Sequence, residues 1–485
     1  MLNSRMIYKV LGTLLYIEAG LLLLCMFMSF FFDEDDQFAF SLSFIITLFG
    51  ALVFRFLGRT GENTLSRRDA YLVVTLSWVI FSLFGTLPFL IGGYITNFTD
   101  AYFESMSGFT TTGATTFDDV EVLPHALLFW RSLTQWVGGL GIVFFTIALL
   151  PSLTGGSVRV FAAEATGPIK TKLHPRLSTS AKWIWSIYVI LTVACMACYW
   201  FFGMDGFDAV NYAMTTTATG GFSTHNMSTE FFNSPIIEYT CIVFCFLSGV
   251  NFVLLWTSVM RLKPYRLFRS SEFRLYILLV LLGTAFIMFE LIWRNSYDVE
   301  HAFRSALFSI VSFITTTGLF NDDAGQWPHV TWVVLAACML VGGLSGSTSG
   351  GLKCIRGVMV LKMIKNELRQ LVHPNAVLPL HVDGNNVSQT KRNSLLALIS
   401  VYILLFFIQA FVLTIAGIDS TNAITIILSS LGNVGPTLGI EIGPTMSWVS
   451  LPDFAKWMCV FSMLLGRLEI FSVLVIFSRS FWKDN

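Results

Sequence analysis

The chain has 485 residues, 54% of them hydrophobic and only 12% charged, and its 30 Lys and Arg balance its 30 Asp and Glu. With a mean hydropathy of +0.69, this much apolar surface cannot be hidden inside a water-soluble globule, so the chain reads as an all-α integral membrane protein. No nucleic-acid partner is expected of it.

Apolar runs near the ~20 residues needed to span a bilayer fall at about 8–32, 38–57, 71–91, 126–150, 183–203, 235–260, 274–293, 330–371 in two pieces, 394–417 and 454–478. The first follows Arg5 and Lys9 but is too long for a secretory signal and has no small-residue cleavage site, so it reads as a retained helix. Threading the spans alternately gathers Arg55, Arg59, Arg67, Arg68, then Arg159, Lys170, Lys172, Arg176, Lys182, then Arg261, Lys263, Arg266, Arg269, Arg274, and the run from Lys353 to Arg392 on one side. The other side holds only Arg131, Arg294, Arg304 and Lys456 as cations, with Asp33 to Asp36, Asp118, Asp119, Glu121, Asp205, Asp208, Asp322, Asp323 and Glu441. Basic loops stay in the cytoplasm, which predicts a multi-pass protein with both termini cytoplasmic.

Two leading helices (1–69) are followed by four units, 70–180, 181–270, 271–392 and 393–485. Each is expected to run spanning helix, short helix, dipping loop, spanning helix. The loops are Thr110-Thr111-Thr112-Gly113, Thr217-Ala218-Thr219-Gly220, Thr315-Thr316-Thr317-Gly318 and Gly432-Asn433-Val434-Gly435. Each glycine follows an alanine (Ala101, Ala209, Ala306, Ala423) by 12, 11, 12 and 12 residues. Four parallel copies predict a pseudo-fourfold ring around one pore, because non-helical backbone at membrane depth survives only where protein or a water-filled cavity surrounds it.

The residue types suit a cation. An ion entering a narrow filter exchanges its hydration shell for backbone carbonyls, which carry no fixed charge. Glycine permits the backbone angles this needs. The short helices would aim negative C-terminal ends, equivalent to roughly half a charge each, at the axis. The second and fourth loops depart from Thr-Thr-Thr-Gly, with Ala218 and a following Gly221 in one and Pro436 after the other, so the ring is expected to be only approximately symmetric.

The second span of the third unit is interrupted by Val341-Gly342-Gly343-Leu344-Ser345-Gly346-Ser347-Thr348-Ser349-Gly350-Gly351-Leu352-Lys353. Each glycine costs a helix about 1 kcal/mol against alanine, which predicts a break at membrane depth below the filter and a gate there. Gly346 and Gly350 alternatively make a GxxxG for close helix packing, and the GxxxxGK[ST] of a phosphate loop is absent. Arg467 lies 14 residues beyond Asp453, ~21 Å along a helix, where a charge faces a cavity or a partner. Its alternatives are to snorkel to the interface or to pair with Glu469. At roughly 6 Å from a monovalent cation and an effective dielectric near 20, it would oppose passage by about 2.8 kcal/mol. Asn251, inside an apolar run, either faces the pore or bonds a neighbouring helix.

The eight cysteines lie mostly in apolar runs (Cys25, Cys195, Cys198, Cys241, Cys245, Cys338, Cys459), with no disulfide framework, and the Cys195-x-x-Cys198 pair reads as packing. The seven histidines show no metal-binding spacing, and no GxSxG, paired-aspartate or zinc motif points to an enzyme.

Phe103-Glu104-Ser105 through Thr110-Thr111-Thr112-Gly113-Ala114-Thr115, with Gly220-Gly221-Phe222-Ser223-Thr224-His225, Asn433-Val434-Gly435-Pro436 and Gly466-Arg467-Leu468-Glu469-Ile470-Phe471, closely resembles the TrkH/KtrB/HKT superfamily of potassium transporters. The two extra leading helices are similar to the TrkH branch. The resemblance implies potassium as the transported ion, since Gly113 stands where a serine would admit sodium. It also implies an obstructing loop at 341–353, an electrostatic barrier at Arg467, a homodimer in the bacterial inner membrane, and a cytosolic TrkA-type nucleotide-binding ring as partner. No cofactor is expected on this chain. A sodium- or proton-coupled symporter is the alternative, against which stand the parallel copies and the few acids in the spans, Glu18, Glu290 and Glu469 among them.

Overall fold

The computed structural model describes residues 2–60, 65–141, 177–260, 264–439 and 442–483. The expected basic-loop residues Arg159, Lys170, Lys172, Arg176, Arg261 and Lys263, the end of the 126–150 span, and Glu441 lie outside the described residues.

A leading hairpin pairs α1 (Ser4–Phe32) with α2 (Gln37–Leu57). They lie close because Gly12 faces the backbone of Arg55 and Gly58 that of Lys9. A fixed order then recurs. Helix α3 (Arg67–Gly85) leads to a short α4 (Phe98–Phe109) and α5 (His125–Gly139). Next, α6 (Leu177–Phe201) leads to α7 (Gly206–Ala218) and the pair α8 (Pro235–Ser248) and α9 (Phe252–Met260). Then α10 (Ser271–Asn295) leads to α11 (Val299–Ile314) and the pair α12 (His329–Val341) and α13 (Cys354–Val372). Last, α14 (Gln389–Ile415) leads to α15 (Ser420–Gly432) and α16 (Asp453–Arg467).

The four short helices start alike. Asn97, Asp205, Asp298 and Asp419 each accept from the backbone N–H two residues on, at 2.8–3.2 Å, which satisfies a donor that the first turn leaves open. Helix α11 is one turn longer than its counterparts, so Ala302 takes the place by its cap that Ala101, Ala209 and Ala423 take by theirs, and Ala306 sits a turn further in.

Among the described residues six helices are long and apolar enough to cross a bilayer. The apolar runs at 235–260 and 454–478, expected as single spans, are each bent: α8 and α9 meet at 103°, and α16 turns by 107° into the short segment after Ile470. With α12 ending at Val341, breaks follow each of these second helices at the level of a glycine, not only in the third unit. The outer surface is apolar, with Phe31, Phe201, Leu281, Trp293 and Phe411 all more than half exposed, whereas the loop threonines are buried. That inversion of a soluble protein is what a bilayer requires.

The four cations on the acidic side are all paired: Arg131 with Glu104, Arg294 with Glu290, Arg304 with Glu238, and Lys456 with Asp100, at 2.6–2.9 Å. Two of these pairs, Arg304–Glu238 and Lys456–Asp100, join neighbouring units. A small hairpin, His381–Val382 with Asn385–Asn386, turns through Asp383 and Gly384 at positive φ, the Asp-Gly chemistry of a tight primed turn. It packs Val382 with Leu380 and Val387 against Met359 and Leu395 between the third and fourth units.

Candidate ion pathway

The short helices α4, α7, α11 and α15 end where the four loops begin, and the loops share one backbone course. Thr111, Thr219, Thr316 and Asn433 all sit near φ +55°, and two residues later Gly113, Gly221, Gly318 and Gly435 sit at φ +79° to +99°. The equivalent glycine of the second loop is therefore Gly221, one residue beyond the Gly220 singled out by its sequence spacing. Counted to Gly221, the alanine-to-glycine distance is 12 in all four copies. The shift arises because Gly220 occupies the place of Thr112, Thr317 and Val434, and Ala218 that of Thr110, Thr315 and Gly432. Thr217 falls one step before the ring.

These glycines close a circle. A Cβ on Gly113 would collide with the carbonyl of Gly220, one on Gly221 with that of Thr317, one on Gly318 with that of Val434, and one on Gly435 with that of Thr112. The contact runs from each unit to the next and from the fourth back to the first. A positive φ and a neighbour's carbonyl in the space of a side chain both demand glycine here.

The side chains of the loops fold away from this ring into protein. Thr110, Thr217 and Thr315 return their hydroxyls to the carbonyls of Met106, Ala213 and Val311 at 2.7 Å. Thr110 also meets Thr112 at 2.8 Å, and Thr315 meets Thr317 at 2.7 Å. Asn433 donates to the Thr112 hydroxyl at 3.0 Å and to the Met463 carbonyl at 2.9 Å. Gln135 clamps the second loop, its Nε2 donating to the Gly220 carbonyl at 2.7 Å and its Oε1 accepting from Phe222 N at 3.0 Å. Above the ring, Arg131 is buried against Glu104 and stacks its guanidinium 4.2 Å from the Phe222 ring centre.

Below the ring, the 342–353 segment touches the units around it. Gly350 N donates to the Thr316 hydroxyl at 2.6 Å, Gly351 N to the Gly432 carbonyl at 3.0 Å, and the Thr348 hydroxyl to the Thr217 carbonyl at 3.1 Å. Gly342, Gly346 and Gly351 sit at φ +70° to +79°. Gly350 abuts the carbonyl of Gly432, and Gly343 lies against Ser349, so these glycines serve a tight reversal rather than a GxxxG helix crossing. Asn251 belongs to this segment: it donates to the Ser345 carbonyl and accepts from Leu254 N at 2.9 Å. Glu272 accepts from Ser345 N at 2.6 Å and Ile355 N at 3.0 Å.

Arg467 completes the floor. It donates to the Thr348 carbonyl at 2.9 Å and to the carbonyls of Gly138 and Gly139 at 2.7 and 2.5 Å, with Trp78 under its guanidinium. It thereby joins the fourth unit to the third and first. Glu469 pairs with Arg356.

Sequence reasoning missed Gln135, Glu272 and the helix glycines Gly138 and Gly249, and quoted Thr348 and the helix glycine Gly466 only within longer motifs. One signal was available for the helix glycines: an apolar helix after each loop carries a glycine where it abuts the loops or the floor. Gly138 faces the Phe109 carbonyl, Gly249 faces Thr315, and Gly466 faces the Leu431 carbonyl. Gln135 carried no pattern of its own.

The sequence model of the TrkH family, described as cation transport protein, matches residues 36–484. A Trk system potassium uptake protein TrkH of Salmonella typhimurium is 36% identical over 488 residues, covering all of both chains. A TrkG protein of Escherichia coli is 34% identical over 99% of each. The crystal structure of a potassium transporter TrkH from Vibrio parahaemolyticus superposes with a TM-score of 0.90 at 34% identity, covering 99% of both chains.

Proposed function

This chain belongs to the TrkH family of cation transport proteins, and from that membership and the four-loop ring we propose that it is the ion-translocating subunit of a Trk-type potassium uptake system. The observation that carries this reading is the closed circle of contacts between each loop's glycine and the carbonyl of the next loop. A potassium ion exchanges water for carbonyl oxygens of residues 110–113, 218–221, 315–318 and 432–435. Four helix C-termini favour the cation there and disfavour an anion.

The 342–353 segment and Arg467 form the gate beneath the filter. The guanidinium opposes a cation, and the segment fills the route until both are displaced. With the basic loops in the cytoplasm of a bacterial inner membrane, the inside-negative potential supplies about 2.3 kcal/mol per 100 mV for each charge moved, so this chain performs no chemical step. As part of a multi-component system, it presents its basic side to a cytosolic nucleotide-binding regulatory ring of the TrkA type and pairs with a second copy in the bilayer.

Rubidium-86 uptake into proteoliposomes holding the purified chain at a set membrane potential tests the reading. Uptake should follow the potential, be competed by potassium more than by sodium, and need no ion gradient of another kind. Uptake that vanishes without a sodium or proton gradient overturns the uncoupled pore.

A further inference from the structure

The floor of the pore is built from two pieces of chain remote in sequence, the 342–353 segment and Arg467, and an ion pair outside the ring fastens them together. Arg356, on the first turn of α13, places Nη2 2.8 Å from Oε2 of Glu469. Its Nη1 donates to the Leu352 carbonyl at 2.6 Å, the last turn of the pore-filling segment. Glu469 stands two residues past Arg467, at the 107° bend where α16 stops. One guanidinium therefore grips both the exit of the segment and the bend that carries Arg467. The Arg356 side chain is 6% exposed and that of Glu469 22%, so water weakens the pair little.

Glu469 and its neighbour Ile470, and Lys353 three residues before Arg356, are in backbone conformations that residues with a Cβ avoid. Lys353 has φ +75°, Glu469 φ +55° and Ile470 φ +44°. For a β-branched residue such as Ile470 this is a true outlier, and such a conformation persists only where its surroundings hold it. Relaxing either site would swing the segment's exit or the end of α16, and the ion pair opposes both movements at once.

We propose that Arg356 and Glu469 form a latch that positions Arg467 and the 342–353 segment as one unit in the shut pore. The latch rests on the reading of these two elements as the gate. Arg356 and Glu469 are positioning residues: opening requires the pair to part or to move as a body with the floor.

The test is rubidium-86 flux per reconstituted molecule at a fixed membrane potential, with Arg356→Gln, Glu469→Gln and the exchanged pair Arg356→Glu with Glu469→Arg. Each single variant should raise flux at least about fivefold, the lower end of coupling energies between linked sites, and the exchanged pair should return it toward the original level. Singles with unchanged flux, or an exchanged pair as leaky as the singles, overturn the latch. If a glutamine variant does not reconstitute, Glu469→Asp, which withdraws the carboxylate by one methylene, carries the same comparison: raised flux supports the latch and unchanged flux overturns it. Arg467→Ala run alongside separates the two readings. If it raises flux while the latch variants do not, the latch alone is wrong. If it too leaves flux unchanged, the gate reading fails first.

Discussion

Gly221 holds φ +81° with the carbonyl of Thr317 where a side chain would stand. Gly203, at φ +106°, has the same need for a left-handed backbone but open space around it. The left-handed region alone costs an L-residue roughly 1–2 kcal/mol, whereas a collision inside the ring must widen it. Gly221→Ala is therefore expected to lower rubidium flux at least about tenfold, equivalent to 1.4 kcal/mol of barrier, or to abolish potassium-over-sodium preference, while Gly203→Ala leaves both unchanged. Flux and sodium competition in proteoliposomes check this. At this scale the sequence was informative about which residue types matter and off by one about where. The Gly220-Gly221 doublet offers two candidates, and only the φ values and the Thr317 contact choose between them.

The short helices and the second helices depend on buried polar joints that periodicity does not disclose. Glu104 on α4 accepts from Arg131 Nε at 2.9 Å, from Thr116 N at 2.8 Å and from the Thr115 hydroxyl at 3.1 Å. This carboxylate fixes α4 to α5 and holds the chain just after Gly113. Glu104→Gln removes the charge opposite a guanidinium that is itself buried, which costs about 3–5 kcal/mol when one partner of such a pair is lost. The expected outcome is a lower thermal unfolding midpoint in detergent, with Glu104→Gln, Arg131→Gln together less destabilised than the sum of the singles. The helices themselves were legible, because runs of apolar residues near spanning length admit few other structures. The bends after Ser248 and Arg467 were not, because neither carries a proline and the apolar run resumes beyond each. What breaks those helices is the Asn251 bond to the pore segment and the positive φ at Glu469 and Ile470, both set by contacts remote in sequence.

At the scale of the whole molecule the units are tied to one another at the acidic mouth as well as at the ring. His225 of the second unit lies 3.1 Å from Asp208 through Nε2 and 3.5 Å from Glu121 of the first unit through Nδ1, stacked on Phe231. Burial pushes the imidazole pKa down, but the hydrogen bond to Asp208 and the charges of Asp208 and Glu121 outweigh burial and set it above its ordinary value. A group whose pKa rises on folding lends stability that is fully present below its ordinary value of about 6.5 and is lost as pH climbs through the raised one. The melting temperature of the solubilised protein should therefore fall as pH rises above about 6.5, and His225→Gln should flatten that part of the profile. An unchanged slope in the variant would contradict the assignment.

Composition and spacing by themselves determined that this chain is a helical membrane protein with two leading helices and a fourfold repeat of glycine-ended loops. The physical reason is that hydropathy and repetition are local properties written residue by residue. The tertiary structure alone decided that Gly221 completes the ring, that Arg467 is held by backbone carbonyls while Glu469 answers Arg356, and that the pore segment reaches three of the loops. Those outcomes depend on which atoms four separate units bring within about 3 Å of one another. A linear sequence contains the partners but not the distances, and at a pore axis the distances decide which groups a cation would meet.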